Sequence, residues 1–260
     1  MESLWVAKTG LDAQQTRMTV VSNNLANVNT NGFKKGRAIF EDLLYQNVSQ
    51  AGGATSQNTE KPTGLSLGTG VRVVATEKTF NQGSTVNTGN PFDVMISGRG
   101  FFQVLLPDGT QAYTRDGSFK IDSEGRLVTA SGYELQPSIT VPNGVTAVTI
   151  SPDGLIQAKV TGQVDPVTLG TLQIADFINP AGLQPRGQNM LVETAASGTP
   201  QIGNPNIEGR GDLVQGALEG SNVNVVEELV GMIETQRAYE MNSKAIAVSD
   251  QMLQYLNNNL

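Results

Sequence analysis

The sequence predicts an α+β fold, in which helices at both ends of the chain pair as a coiled coil and the centre is an all-β domain of meander or barrel-like form. Three observations support this prediction. All 11 prolines of the 260 residues lie between Pro62 and Pro205, and proline is excluded from helix interiors but tolerated in turns and at strand edges. Both proline-free ends carry apolar residues at heptad spacing. The middle carries turn sequences at intervals of about 8–12 residues.

The first helix is predicted within residues 1–35. One row of apolar residues is spaced by seven: Leu4, Leu11, Met18 and Leu25. A second row lies three positions after the first and is apolar except at Gln14. Two such rows predict a narrow apolar seam of the kind that coiled-coil partners require.

Asparagines follow one another at the end of this first helix. Asparagine is a mediocre helix former, so Asn23, Asn24 and Asn27 indicate a role other than helix formation. Amide side chains both donate and accept hydrogen bonds, and packed amides can fix the register between helices. The Asn31-Gly32 pair predicts the left-handed conformation that ends a helix.

The last helix is predicted within residues 222–260. Its heptad row is Val225, Met232, Tyr239, Ile246 and Leu253. Leu229 lies on the adjoining seam. Asn224 is a good N-cap, and Glu227 three positions later supplies the partner of a capping box.

Opposite charges favour pairing of the two ends. Residues 1–37 hold five bases and two acids, whereas residues 221–260 hold two bases and five acids. Attraction between such segments favours helices that lie side by side. The alternative is that both are ordinary amphipathic helices that cover the core of a globular domain.

The middle of the chain divides into an arm and a β domain. Residues 36–70 are predicted as a linker or extended arm, because the stretch 49–60 has no apolar period. Residues 71–221 are predicted as the central β domain. Its turn sequences include Pro107-Asp108-Gly109, Ser123-Glu124-Gly125, Ser131-Gly132, Asn143-Gly144 and Pro152-Asp153-Gly154.

The composition excludes several classes of chemistry. The chain has no cysteine and no histidine, which removes ordinary zinc sites, thiol nucleophiles, haem ligation and histidine-based acid–base catalysis. Gly64-Leu65-Ser66-Leu67-Gly68 matches a nucleophile elbow, but the serine has no histidine base. We therefore expect no catalytic residue, no cofactor and no metal.

Charge and hydropathy exclude two further partners. The net charge is −7 without a basic stripe, so nucleic-acid binding is not expected. No segment approaches the ~18 apolar residues of a membrane span, so no direct membrane insertion is expected. The start Met1-Glu2-Ser3 lacks the basic region of a signal peptide, and export, if any, is expected to proceed without a cleaved leader.

Three separated motifs resemble the bacterial flagellar rod and hook axial proteins. The first is Asn-Asn-Leu-Ala-Asn-Val-Asn-Thr-Asn-Gly-Phe-Lys at residues 23–34. The second lies near the other end, with Gly-Ser-Asn-Val-Asn-Val at 220–225 and Gln-Arg-Ala-Tyr-Glu at 236–240. The third is central, with Gly-Phe-Phe-Gln-Val at 100–104 and Tyr-Thr-Arg-Asp-Gly-Ser-Phe at 113–119. The resemblance covers nearly the whole chain.

The resemblance implies a structural subunit without enzymatic activity. In this family the paired terminal helices form an inner tube around an export channel, and the β domain faces outward. The implied partners are other copies of the chain in a helical homopolymer, the proximal rod proteins, the hook protein or hook-side junction, the periplasmic and outer-membrane bushing rings, and the flagellar type III export apparatus. The implied location is the periplasm-spanning rod of the basal body.

The resemblance also implies which residues serve assembly. In the first helix and its end they are Leu4, Leu11, Met18, Asn23, Asn24, Leu25, Asn27, Asn31, Gly32 and Phe33. In the last helix and its approach they are Asn222, Asn224, Val225, Leu229, Met232, Arg237, Tyr239, Ile246 and Leu253.

Within the family, the distal-rod members are the best match. The chain has one modest β region, whereas similar hook proteins are usually longer, and residues 45–62 look like the insert of distal-rod proteins. The chain is thus predicted to be a subunit of a hollow rod that transmits torque to the hook. The alternatives are a hook or proximal-rod axial protein and, outside the family, a secreted glycan-binding or hydrolytic β domain.

Overall fold

The computed structural model describes residues 2–49, 54–56, 59–60, 62–162 and 165–258. It confirms the α+β class, with one long helix near each end and strands between them. The chain forms two compact units. The helical unit comprises Met1–Leu25, Gly36–Glu77 and Val225–Leu260, and the β unit comprises Ala26–Lys35 and Lys78–Asn224.

Helix α1 spans Glu2–Ala26 and helix α2 spans Val225–Asn258. The start of α2 is where the sequence predicts it, but the expectation that Asn31-Gly32 ends the first helix is wrong. Residues 27–32 form turns and a bend, because the asparagines that follow Ala26 are mediocre helix formers. Helix α2 begins directly after Asn224, and two glutamates in its first turn interact favourably with the positive end of the helix dipole. Neither helix, within its described residues, combines the length and hydropathy that a membrane-spanning segment requires.

The remaining part of the helical unit contains three pairs of strands in its described residues. Strand β1 (Gly36–Asp42) pairs with β6 (Val71–Lys78). Between them, β2 (Tyr45–Ser49) pairs antiparallel with β5 (Leu65–Gly68), and β3 (Ala54–Ser56) with β4 (Thr59–Glu60). The stretch 49–60, predicted as a loop or extended arm, thus contains short paired strands. Pairing between two strands needs main-chain hydrogen bonds but no apolar period, so this stretch carries no strand signal.

The β unit contains sixteen named strands in its described residues. They are β7 (Thr85–Asn87), β8 (Val94–Ser97), β9 (Phe101–Leu105), β10 (Gln111–Thr114), β11 (Lys120–Ile121), β12 (Leu127–Val128), β13 (Glu134–Gln136), β14 (Val145–Ile150), β15 (Leu155–Val160), β16 (Val167–Thr171), β17 (Ile174–Asp176), β18 (Gln184–Gly187), β19 (Met190–Val192), β20 (Gln201–Gly203), β21 (Asp212–Gln215) and β22 (Ala217–Glu219). A 3-10 turn spans Pro180–Gly182.

Antiparallel pairing joins these strands into several sheets. The largest has nine strands, in the order β11-β12-β13-β9-β10-β19-β18, with β17 pairing both β9 and β20. Strands β14, β15 and β16 form a second sheet, and β8 pairs with β21 and β7 with β22. The last two pairings join the start of the β unit to its end.

Strand β9 explains how the core is filled. Successive side chains of a strand point to opposite faces, and β9 contributes to two apolar clusters. Phe102 and Val104 pack in the larger one, and Phe101 packs in the smaller one with Tyr113 and Phe177. Burial on both faces agrees with the sequence of β9, in which apolar residues occupy both odd and even positions around Gln103. Each such side chain contributes about 1.5–3 kcal/mol of burial free energy.

Candidate functional site: an assembly surface and the terminal segments

The two helices contact each other at positions a heptad apart along α1. A Cβ added to Gly10 would lie 3.0 Å from Nδ2 of Asn242. Further along α1, Arg17 Nη2 lies 3.9 Å from Glu234 Oε2. At its end, the amide of Asn24 contacts Glu228 of α2. From one contact to the next, residue numbers rise along α1 and fall along α2, so the helices run antiparallel.

The inner face of α2 combines small, polar and apolar residues. Its buried or half-buried positions are Glu228, Gly231, Met232, Thr235, Ala238, Asn242, Ile246 and Ser249. Two of these, Glu228 and Asn242, contact α1. Thr235 is fully buried, and its hydroxyl donates to the carbonyl of Gly231 at 2.6 Å. Small side chains let the two backbones approach closely.

The opposite face of α2 is apolar and exposed. Its residues are Val230, Ile233, Met241, Val248 and Met252, here called the outer stripe. At 100° per residue they lie about 100–180° around the helix from Thr235. The exposed fraction of each side chain is between 47% and 65% in the single chain. The exposed cations Arg237 and Lys244 lie in the same arc. Exposed apolar side chains grouped on one face make this face a candidate interaction surface.

The amide of Asn24 ties the end of α1 to the first strand and to α2. Its Oδ1 accepts from the Gly36 amide at 2.8 Å, and its Nδ2 donates to the Gly36 carbonyl at 2.9 Å and to Glu228 Oε2 at 3.1 Å. The side chain is buried. Only an amide supplies both an acceptor and two donors at this place.

Residues Ala26–Lys35, here called the signature segment, belong to the β unit. Gly32 has φ 67°, as the Asn-Gly pair predicts, and a Cβ there would lie 2.7 Å from the main chain of Arg115 and Asp116. The Gly32 amide donates to the Glu219 carbonyl at 2.7 Å. The carbonyl of Asn31 accepts from Asn189 Nδ2 at 3.0 Å. Glycine is therefore required here both for its conformation and for the close approach.

A buried charge cluster lies beside this glycine. Glu219 Oε1 accepts from Lys34 Nζ at 2.6 Å and from the Gly83 amide at 2.9 Å, and Oε2 accepts from Arg115 Nη1 at 3.3 Å. Lys34, Arg115 and Glu219 are 3%, 6% and 1% exposed. Burial lowers the pKa of Lys34 and of Arg115, while the carboxylate of Glu219 opposes both changes. We call this group the Glu219 cluster.

The amide of Asn222 fastens the segment that leads into α2. Its Oδ1 accepts from the Lys35 amide at 2.6 Å, and its Nδ2 donates to the carbonyls of Thr79 at 2.8 Å and Asn81 at 3.1 Å. The main-chain N–H of Asn222 donates to the Phe33 carbonyl at 3.4 Å. The residues before α2 thus hold the residues that follow α1.

The ribbon β2–β5, here called the arm, exposes apolar side chains. Tyr45, Val48 and Leu65 are more than half exposed, and neighbouring Leu44 is 90% exposed. Of the predicted insert 45–62, residues 50–53, 57–58 and 61 lie outside the described part of the chain.

The predicted assembly residues differ in burial. Buried are Asn24 and Gly32. Half-buried are Leu4, Leu11, Met18, Leu25, Asn27, Asn31, Phe33, Asn222, Met232 and Ile246. Exposed are Asn23, Asn224, Val225, Leu229, Arg237 and Tyr239. The side chain of Leu253 lies outside the described residues. The roles of these residues in assembly stay predictions.

Arg115, Glu219 and Glu228 were not predicted from the sequence. For two of them the sequence contains a signal. Glu219 follows Ala217 and Leu218, and an acid in an apolar stretch needs a buried partner. Arg115 is the cation of the central motif at 113–119.

Comparisons with known proteins agree with the motifs. Three family models match the chain: a flagella basal body rod protein family over residues 4–34, the D1 domain of the flagellar hook proteins FlgE/F/G over 95–158, and the C-terminal region of the flagellar basal body rod FlgEFG proteins over 214–259. These ranges include each of the three sequence motifs.

Relatives match over almost the full length. The flagellar basal-body rod protein FlgG of Buchnera aphidicola subsp. Acyrthosiphon pisum is 56% identical over 98% of both chains. FlgG of Borreliella burgdorferi is 50% identical over 99% of this chain and 98% of its own, and FlgG of Caulobacter vibrioides is 46% identical over 98% and 97%. These matches confirm the prediction of a non-enzymatic rod subunit over that of a hook protein. The chain therefore belongs to the FlgG family of flagellar basal-body rod proteins, which are structural subunits of the distal rod.

Proposed function

We propose that the chain assembles with copies of itself into a hollow helical shaft that transmits torque, with the helices as the inner tube and the β unit facing outward. The observation that carries this proposal is the two-faced character of α2. Its inner face is occupied by α1, whereas its outer stripe is apolar and exposed. A second copy of the helix pair offers apolar surface that can cover it.

The coiled-coil pairing of the helices is part of this proposal. The antiparallel contacts at Gly10, Arg17 and Asn24 repeat every seven residues along α1 and support it. Contacts between two different faces of the same protein propagate into an open helical polymer when the rotation between copies does not close a ring.

The arm is proposed to stiffen this polymer. A two-stranded hairpin is only marginally stable in water by itself, and the exposed side chains of Tyr45, Val48 and Leu65 can pack on a neighbouring subunit. Contacts of this kind oppose sliding between subunits, and a shaft whose subunits cannot slide stays straight.

The remaining partners follow from the family. We propose that the shaft joins proximal rod proteins on one side and the hook or its junction on the other. We also propose that it turns inside the periplasmic and outer-membrane rings. The subunit is proposed to leave the cytoplasm through the flagellar type III export apparatus without a cleaved leader.

Electron microscopy of concentrated purified protein tests assembly. The wild-type chain should form hollow filaments, and Ile233→Glu should not, because it places a charge in the outer stripe. Gln236→Glu is the matched control, since Gln236 is an exposed polar residue of the same helix and should tolerate the charge. Filaments of Ile233→Glu at the wild-type yield would contradict the proposed interface.

A further inference from the structure

The signature segment is held mainly by residues near the other end of the chain. Gly32 donates to the Glu219 carbonyl, Lys34 to the Glu219 carboxylate, and Lys35 to the side chain of Asn222. These partners are more than 180 residues away along the sequence. The main chain of Glu219 thus binds Gly32, and its side chain binds Lys34.

The carboxylate of Glu219 balances two buried cations. An unpaired buried charge is far more costly than a paired one, and neither Lys34 nor Arg115 reaches solvent to any large extent. Arg115 also donates to the Gly98 carbonyl at 2.8 Å, and its charge is attracted by Asp176. Lys34 has the Asn81 carbonyl at 2.8 Å as its other acceptor, which carries no full charge. Glu219 is therefore the anion on which burial of Lys34 depends.

Long-range strand pairing fixes the position of Glu219. It is the last residue of β22, which pairs with β7 in the register Leu218↔Val86 and Glu219↔Thr85. The next amide, that of Gly220, donates to the Ser84 carbonyl at 2.7 Å. Until β22 pairs with β7, the acceptors for Gly32 and Lys34 are not in place.

We propose that Glu219 is the positioning residue of the signature segment, and that this segment docks only after the C-terminal strand β22 has paired. Docking of the residues that follow α1 then depends on the residues that precede α2. A chain whose C-terminal side has not folded leaves the signature segment without its site, so the β unit closes in an obligatory order. This inference does not depend on the proposed polymer.

Amide hydrogen exchange of the full-length monomer tests the positioning role. In Glu219→Gln, which keeps the shape and removes the charge, peptides from residues 27–35 should exchange at least about tenfold faster. Peptides from β9 in the same sample should change less than about twofold, because β9 lies in the core and not at this site. Lys34→Met, which leaves the Arg115–Glu219 pair intact, should give a smaller acceleration of the same peptides.

The matched control is Glu134→Gln, which removes a carboxylate from a less buried ion pair with Arg126 at 3.6 Å. It should leave residues 27–35 at the wild-type rate. Unchanged protection of 27–35 in Glu219→Gln would overturn the proposal. So would acceleration of 27–35 and β9 by the same factor, because that result shows general destabilisation and no positioning role.

Pulse-labelled refolding tests the order. The Gly32 amide should become protected together with the Gly220 amide or after it. Protection of Gly32 before Gly220 would show that the segment docks without β22 and would overturn the conditional step.

Discussion

The β unit and the helical unit use apolar side chains in opposite ways. In the β unit, Phe102, Val104 and Tyr113 have no measurable exposure. In the helical unit, Ile233 and Met252 are at least half exposed, although they lie on a regular helix. The difference indicates that the β unit is stabilised within one chain, whereas the exposed apolar residues of the helical unit would be covered in the proposed polymer.

The largest expected effect is on the free energy of unfolding, and it distinguishes a substitution in the β unit from one in the helical unit. Phe102→Ala should lower the free energy of unfolding of the β unit by about 3–5 kcal/mol, because it leaves a cavity in a closed core. Ile233→Ala should change the stability of the monomer by less than about 0.5 kcal/mol, because half of the residue's surface is already in water and alanine is the better helix former. Denaturant unfolding of the monomer measures both.

The same two variants should rank in the opposite order in assembly. At a temperature where both monomers stay folded, Ile233→Ala should raise the critical concentration for filament formation more than Phe102→Ala does. If Phe102→Ala impairs assembly more strongly under these conditions, the division of labour between the units is wrong.

Two glycine substitutions measure how much the close approach at Gly32 contributes to the stability of the β unit. Gly32→Ala and Gly132→Ala both place a side chain at positive φ, which costs about 1–2 kcal/mol. A Cβ at Gly132 meets no atom within 4 Å, whereas one at Gly32 meets main-chain atoms at 2.7 Å. Gly32→Ala should therefore destabilise the β unit by at least about 1 kcal/mol more than Gly132→Ala. Equal losses in thermal unfolding would show that the close approach contributes nothing.

The smallest expected effect concerns the ion pair between the helices. Arg17 and Glu234 are 45% and 66% exposed and 3.9 Å apart, so their coupling free energy in a double-mutant cycle should be below about 0.5 kcal/mol. It should fall further in high salt. A coupling of several kcal/mol would mean that charge, and not the closely packed inner face, holds the helices together.

Local signals predicted the start of α2 and the turns. Asn224 marks the start of α2, and Gly32 ends the turn that follows α1. The predicted turn glycines Gly109, Gly125 and Gly154 all adopt positive φ. Such features depend on neighbouring residues alone, so a single sequence contains them.

The division of α2 into two faces was predicted only in part. Of the predicted heptad row, Met232 and Ile246 are half-buried, whereas Val225 and Tyr239 are exposed in the single chain. The inner positions Gly231, Thr235 and Ala238 are small or polar and carry no apolar signal, so only the structure identifies them.

Long-range strand pairing also could not be predicted from the sequence. Strand β22 pairs with β7 across more than 130 residues, and no local pattern connects them. The Glu219 cluster depends on this pairing, so its three members could not be grouped beforehand. The grouping of β1 and the greater part of β6 with the helices is likewise a matter of contacts and not of the proline distribution.

Cysteine labelling tests the central claim most directly, because the natural chain has no cysteine. A thiol introduced by Ile233→Cys should react with a maleimide rapidly in the monomer and at least about tenfold more slowly in assembled filaments, since a copy covers the outer stripe. A thiol introduced by Val104→Cys should react slowly in both states. Equal, rapid labelling of Ile233→Cys in monomer and filament would contradict the claim that the outer stripe is the surface completed by assembly.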